Sequence, residues 1–392
     1  MVGSGAETCS DPEENFSVYR IIAYFPAWGV NNHYFVTDIP AHLLTHLNYA
    51  FFHVSEDGRC VLGDEYADTQ YMYPGDSPDE PVRGNFKQLQ LLKQAYPHLK
   101  TLLSIGGWTD SANFSDAALT VASRERFARS CVEMMQQYGF DGIDIDWEYP
   151  VHGGLTPERA RPEDRENFTA LLAELRAQLD ALGGHYLLTF AAPAPPQIYA
   201  HLELDQIGKY LDWINLMTYD FHTIWDTHSN FHAPLYASST DPAPDDVMRL
   251  HYNADAAVRG FLAAGIPAAK IVLGVPFYGR GWSGVPDVNH GLYQPVGGLP
   301  EGTQEGFVGY RDLKARYMPT YTRYWQDEVK APWLYNADTQ IMFGYEDADS
   351  LRHKAAYVKA HHLGGIMFWE ISLDDDDHTL LKTIYEQLQE KG

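Results

Sequence analysis

Short β-rich apolar runs recur along the chain at residues 20–28 (RIIAYFPAW), 46–54 (HLNYAFFHV), 100–108 (KTLLSIGGW), 140–148 (FDGIDIDWE), 186–194, 213–221, 270–279 and 364–372. Helix-period segments lie between most of them. The clearest spans 163–182, where Phe168, Leu171, Leu172, Leu175, Leu179 and Leu182 share one face and Gly183-Gly184 ends the pattern. Others fall at 85–96, 123–138, 253–264, 347–361 and 378–389. This alternation predicts an α/β protein built as a (β/α)8 barrel, with functional groups at the C-terminal ends of the strands. Residues 281–345 break the rhythm and are rich in Gly, Pro, Tyr and Trp. A structureless loop of that length is unusual in a compact domain, so the segment is expected to be a small α+β insertion. The expected division is a barrel over 17–280 and 346–392, a lobe over 281–345 and an N-terminal extension over 1–16.

The fourth apolar run carries acids where a buried strand should carry Val and Ile. Side chains two apart on a strand face the same way, so Asp144, Asp146 and Glu148 share one side and Ile143, Ile145 and Trp147 the other. In a barrel the apolar side meets the helices and the acids point inward. Successive carboxyls then climb by roughly 6.5–7 Å per step toward the open end, with Glu148 outermost. Burying three like charges in a column is costly, so one or two of them are expected to hold a proton near neutral pH. A carboxylic acid kept protonated in this way can act as a general acid.

Charge and composition narrow the partner. A formal net charge of −25 argues against nucleic acid and anionic membranes, and no stretch is long and apolar enough to cross a bilayer. Aromatic residues make up 14% of the chain, a supply of flat faces suited to sugar rings. Cys9, Cys60 and Cys131 have no metal-site spacing; Cys131 reads as a buried thiol, and Cys9 with Cys60 is a candidate bridge. His222, His228 and His232 also lack metal spacing and are expected to be solvated or hydrogen-bonded. Asp374 to Asp377 lead into the last helix, where acids suit the N-terminal dipole. Neither a metal nor a cofactor is expected. The start, MVGSGAETCS, lacks the basic and apolar regions of a signal peptide.

The acid run resembles the DGxDxDxE signature of the chitinases of glycoside hydrolase family eighteen. SIGGW (104–108), LMTYDF (216–221), YGRGW (278–282) and GGIMFWE (364–370) resemble that family's motifs at strands three, six, seven and eight. The likeness extends over nearly the whole chain. It implies that Glu148 is the general acid and then the base, that Asp146 turns between Asp144 and the substrate's 2-acetamido group, and that Tyr219 donates a hydrogen bond to the acetamido oxygen. Trp369 would floor the subsite of the distorted sugar, beside Met217. Asp220, Tyr278, Arg280 and Glu305 match polar contacts of the cleft, and Tyr24, Trp28, Phe51 and Trp108 match its aromatic walls. Gln304 stands where relatives often have Trp. Trp225, Trp325 and Trp333 read equally well as lobe core.

The resemblance implies a chitinase cutting β-1,4-linked N-acetylglucosamine in chitin and chitooligosaccharides, with retention and through an oxazolinium intermediate. A secreted monomer without a cofactor is expected. Two other readings remain at this point. Chitin-binding lectins on the same scaffold typically lack the acid at the Glu148 position, and endo-β-N-acetylglucosaminidases acting on N-glycans share the acid pair.

Overall fold

The computed structural model describes residues 19–389. Eight parallel strands close into a barrel: Arg20–Pro26, His46–Val54, Lys100–Gly106, Gly142–Asp146, Leu187–Pro193, Trp213–Met217, Ile271–Pro276 and Gly365–Trp369. The first strand pairs with both the second and the eighth, which leaves no open edge. The α/β barrel expected from the alternation is therefore present.

The helices follow the apolar periodicity. Asp164–Asp180 buries Phe168, Leu171, Leu172, Leu175 and Leu179 against the sheet. Val121–Tyr138 starts at a Thr120 cap, whose hydroxyl accepts from the Ser123 amide, and stops at Gly139 in the left-handed conformation. Between the fifth and sixth strands only two single-turn helices form, Pro196–Tyr199 and Leu204–Ile207. Pro195-Pro196 prevents a longer helix from starting inside the preceding turn. After the eighth strand, Asp374 accepts from the Leu380 and Leu381 amides and Asp375 from that of Thr379, so these two acids cap the last helix, Thr379–Gln389.

The inserted lobe is an antiparallel five-stranded sheet, in the order Phe307–Gly309, Tyr278–Trp282, Ile341–Gly344, Ala331–Asn336, Thr322–Gln326. Its core includes Trp282, Leu292, Trp333, Tyr335 and Met342. Residues 278–280, which the apolar run joined to the barrel, already pair with Phe307–Gly309, so the lobe sheet begins before residue 281. Just after the last lobe strand, Glu346 forms a buried ion pair with Lys354, whose ammonium also donates to the Ala233 carbonyl at 2.7 Å. Cys60 and Cys131 are both buried free thiols. Cys9 lies outside the described residues, so its expected bridge to Cys60 does too.

Candidate active site

The acid strand behaves as its alternation predicts. Ile143, Ile145 and Trp147 are buried on the outer face, where the Trp147 ring stacks on Phe114 at 5.3 Å and 14°. Asp144 and Asp146 are buried on the inner face, and Glu148 is half-buried just past the strand end. Two positions allow neighbouring segments to close on this column. Gly106 has φ +107° and a Cβ there would fall 2.3 Å from the Asp146 carbonyl; at Gly107, φ +84°, it would fall 2.5 Å from the Phe51 ring. The Ser111 hydroxyl accepts from the Glu148 amide at 2.8 Å and donates to the Gly107 carbonyl at 2.8 Å, which fixes the backbone that carries the outermost acid.

The three carboxyls are not equivalent. Asp144 receives four donors: Tyr24 and Ser104 hydroxyls at 2.7 Å each on Oδ2, and the Thr189 hydroxyl at 2.5 Å and Asn215 amide at 3.2 Å on Oδ1. Burial pushes its carboxyl up and these donors oppose the shift. Asp146 has no such support. Its Oδ1 is buried with no hydrogen-bond partner among the described residues. Burial, followed by the charges of Glu148 and Asp144, raises it well above the usual carboxylate range. With every lone-pair direction of Asp144 already filled, the proton belongs on Asp146. Glu148 is pushed up to about 7 by burial, with the Asp220 charge adding to the rise and a hydrogen bond with Tyr149 opposing it.

Around the column lies an open cleft of about 660 Å³ at the C-terminal ends of the strands. Its floor is an aromatic corner in which Trp369 stacks on Phe51 at 5.5 Å and 14°, with Tyr24 5.6 Å and Trp28 6.4 Å from the Trp369 ring. Phe51 reaches this position because the second strand carries a bulge between Ala50 and Phe52. Met217, Tyr219, Asp220, Tyr278, Arg280, Trp108 and Glu305 also line the cleft. Tyr219 makes one hydrogen bond among the described residues, a weak one to the Met367 sulfur at 3.8 Å. Burial and then the neighbouring acids keep its hydroxyl protonated.

Asp220, at φ +56°, is gripped by Arg280 through two bonds of 2.8 Å. Burial alone would raise this carboxyl, but the guanidinium holds it well below the usual carboxylate range.

All fourteen anticipated site residues come together here, since thirteen line the cleft and Asp144 sits beneath it. The expected role of Tyr24 is enlarged, because it donates to Asp144 as well as forming a wall. Ser104, Thr189, Asn215, Ser111 and Tyr149 were not singled out in the sequence. The three tryptophans separate: Trp333 is lobe core, Trp325 is half-buried beside His353, and Trp225 is 79% exposed on the cleft rim. His232 is buried rather than solvated, with its Nδ1 3.6 Å from Oδ1 of Asp220.

A closed barrel with a buried carboxylate column under an aromatic-walled cleft is the frame of a carbohydrate-cleaving enzyme. The family described as glycosyl hydrolases family 18 matches residues 20–374, and the chain belongs to that family. It is 44% identical over 398 residues to Chitinase A1 of Niallia circulans, covering 91% of this chain and 56% of that protein. It is 40% identical to Endochitinase 1 of Metarhizium robertsii (strain ARSEF 23 / ATCC MYA-3075), covering 91% and 82%. Among solved structures, Chitinase ChiA74 from Bacillus thuringiensis matches with a TM-score of 0.89 at 38% identity, covering 94% of this chain and 69% of that one.

Proposed function

We propose that this chain hydrolyses the β-1,4 linkages of chitin and chitooligosaccharides with retention of configuration, with Glu148 as the acid and then the base. The observation that carries this reading is the unequal column: an Asp144 saturated with donors, an Asp146 with an unpartnered oxygen, and a Glu148 raised to about 7 at the cleft.

A protein nucleophile would need a second free carboxylate about 5–5.5 Å from the acid, across the sugar. Asp146 belongs to the same strand as Glu148. Asp220 is bound at both oxygens by Arg280, Asp226 is engaged by the Thr223 amide and His222, and Glu305 is exposed on the lobe rim. These ties favour attack by the substrate's own N-acetyl oxygen. Glu148 transfers its proton to the glycosidic oxygen as the C1–O bond breaks, and the acetamido oxygen closes on C1 to give an oxazolinium ion. Tyr219 donates to that oxygen, and Asp146 turns its free oxygen to the acetamido N–H. Glu148, now anionic, takes a proton from water as the water opens the ring, which restores the acid.

The exposed rings of Trp28, Trp108 and Trp225, at 40%, 44% and 79%, suit a linear chain laid along the cleft. This favours a polymer over a branched glycan. The site is complete within one chain, consistent with a monomer. Among the described residues no helix is long and apolar enough to cross a membrane. Because chitin is an extracellular polymer, we place the enzyme outside the cell.

Incubation with colloidal chitin and, in parallel, a high-mannose glycoprotein tests the reading. Release of N-acetylglucosamine oligomers from chitin alone is expected. Release from the glycoprotein alone would move the assignment to N-glycan cleavage, and binding without release from either would make the protein a lectin. The acid must be protonated to act, so kcat/KM is expected to hold below pH 7 and fall as pH rises through about 7, the value to which Glu148 is raised. A basic limb near the ordinary glutamate range would contradict that role.

A further inference from the structure

Trp213 and Asn215 lie two apart on the sixth strand, so both side chains enter the barrel, where they are 1% and 0% exposed. The Trp213 Nε1–H donates to Asn215 Oδ1 at 3.0 Å, and Asn215 Nδ2 donates to Asp144 Oδ1 at 3.2 Å. The indole is firmly seated. The Arg20 guanidinium lies 4.7 Å from its ring centre and is itself bound to the Ala269 and Gly364 carbonyls, and the His46 ring meets it edge-on at 4.7 Å. Burial, with the charges of Arg20 and Lys100, lowers His46 to about 3, so that ring is neutral.

An indole N–H donates and cannot accept. The Asn215 amide therefore satisfies both neighbours in one orientation, with its oxygen toward Trp213 and its N–H toward Asp144. The other partners of Asp144 are the hydroxyls of Tyr24, Ser104 and Thr189, and a hydroxyl can turn to accept as well as donate. Among the described residues, the amide is thus the partner of Asp144 whose donor side is fixed from elsewhere.

Without the indole N–H, Asn215 Oδ1 would be a buried acceptor lacking its donor. Turning the amide brings that oxygen against Asp144, and a proton on Asp144 then supplies the missing donor. The proton leaves Asp146, and the negative charge climbs one rung toward Glu148. The other titratable groups facing these carboxyls keep their charge: burial raises the Tyr24, Tyr149 and Tyr219 hydroxyls, and Arg280 holds Asp220 ionised. Moving a unit charge from roughly 14 Å to roughly 7 Å below Glu148 raises that acid by about 0.9 unit at an effective dielectric near 20.

We propose that Trp213 is a positioning residue whose indole N–H holds the Asn215 amide with its donor toward Asp144, and thereby keeps the column's proton on Asp146. The proposal deepens the chitinase reading and rests on it for its kinetic consequence.

The test removes the N–H in two ways: Trp213→Phe, and 3-benzothienylalanine at position 213, which keeps the indole's shape with sulfur in place of N–H. The basic limb of kcat/KM on a chitooligosaccharide reads Glu148 in the free enzyme. It is expected to move up by about 0.5–1 unit in both proteins. A limb that stays in place in the benzothienyl protein, or moves in Trp213→Phe alone, would reduce Trp213 to packing and overturn the proposal. ¹³Cδ-glutamate spectra of the same proteins, with Glu148 assigned by its loss in Glu148→Gln, read that carboxyl without substrate. Its midpoint should rise by the same amount, and an unchanged midpoint overturns the proposal. Because these spectra need no turnover, they decide the role of Trp213 even if the wild-type chain releases no sugar, a result that would count only against the chitinase reading.

Discussion

Glu148→Gln is expected to lower turnover on chitooligosaccharides by about 10³-fold, within the range that a positioned general acid supplies, while leaving affinity within a few-fold of wild type. The amide keeps the length and the planar head of the side chain but cannot deliver a proton to a leaving oxygen. The aromatic corner of Trp369, Phe51 and Trp28 is untouched, so binding should survive, as isothermal titration with a chitooligosaccharide would measure. Stability provides a sign check. The carboxyl's folded value of about 7 lies above its ordinary 4.5, so the native state disfavours the charge and loses stability as pH rises between those values. Gln carries no such charge, and the variant should melt at least as high as wild type at pH 8. Turnover within about tenfold of wild type would remove Glu148 from the chemistry.

Asp146→Asn should have the next largest effect, about 10²-fold in kcat with a smaller change in KM. Asp146 has a buried oxygen with no partner among the described residues, and its neutral form is favoured first by burial and then by the charges of Glu148 and Asp144. In the free protein Asn is a fair replica of a neutral acid. The replica fails when the acetamido group begins to carry positive charge, because an amide oxygen stabilises that charge far less than a carboxylate. The loss should therefore appear in kcat on substrates with the 2-acetamido group. Equal loss in KM and kcat would make Asp146 a ground-state contact instead.

Much of this site was legible because a strand has a period of two. Alternation alone put Asp144, Asp146 and Glu148 inside and Trp147 outside, and the motif resemblance placed Tyr219, Asp220, Arg280 and Trp369 around them. The donors to Asp144 were hidden for a physical reason. Ser104 and Thr189 lie opposite Asp144 only through the pairing of the third, fourth and fifth strands, and pairing register is not written in any single run. Tyr149 and Ser111 act from loops, where no periodicity signals which way a side chain points. Trp225 and Trp333 are alike in sequence terms, yet one borders the cleft and the other fills the lobe, because the sheet of the lobe decides which ring it can bury. His232 was read as solvated or hydrogen-bonded because its spacing from His222 and His228 does not suit a metal, and spacing says nothing of burial. The ion pair of Lys354 with Glu346 and the lobe strand of Arg280 close over it, and that closure is a property of the assembled fold.

The two remaining features of the mechanism, the acid above and the acetamido nucleophile, meet in the stereochemistry of the first product. Proton NMR of fresh hydrolysis of a chitooligosaccharide, recorded before mutarotation, reads it directly. The β-anomer should appear first, since two displacements at C1 restore the original configuration. An initial α-anomer would mean that water attacks C1 without an intermediate, and would contradict the account built on Asp146 and Glu148.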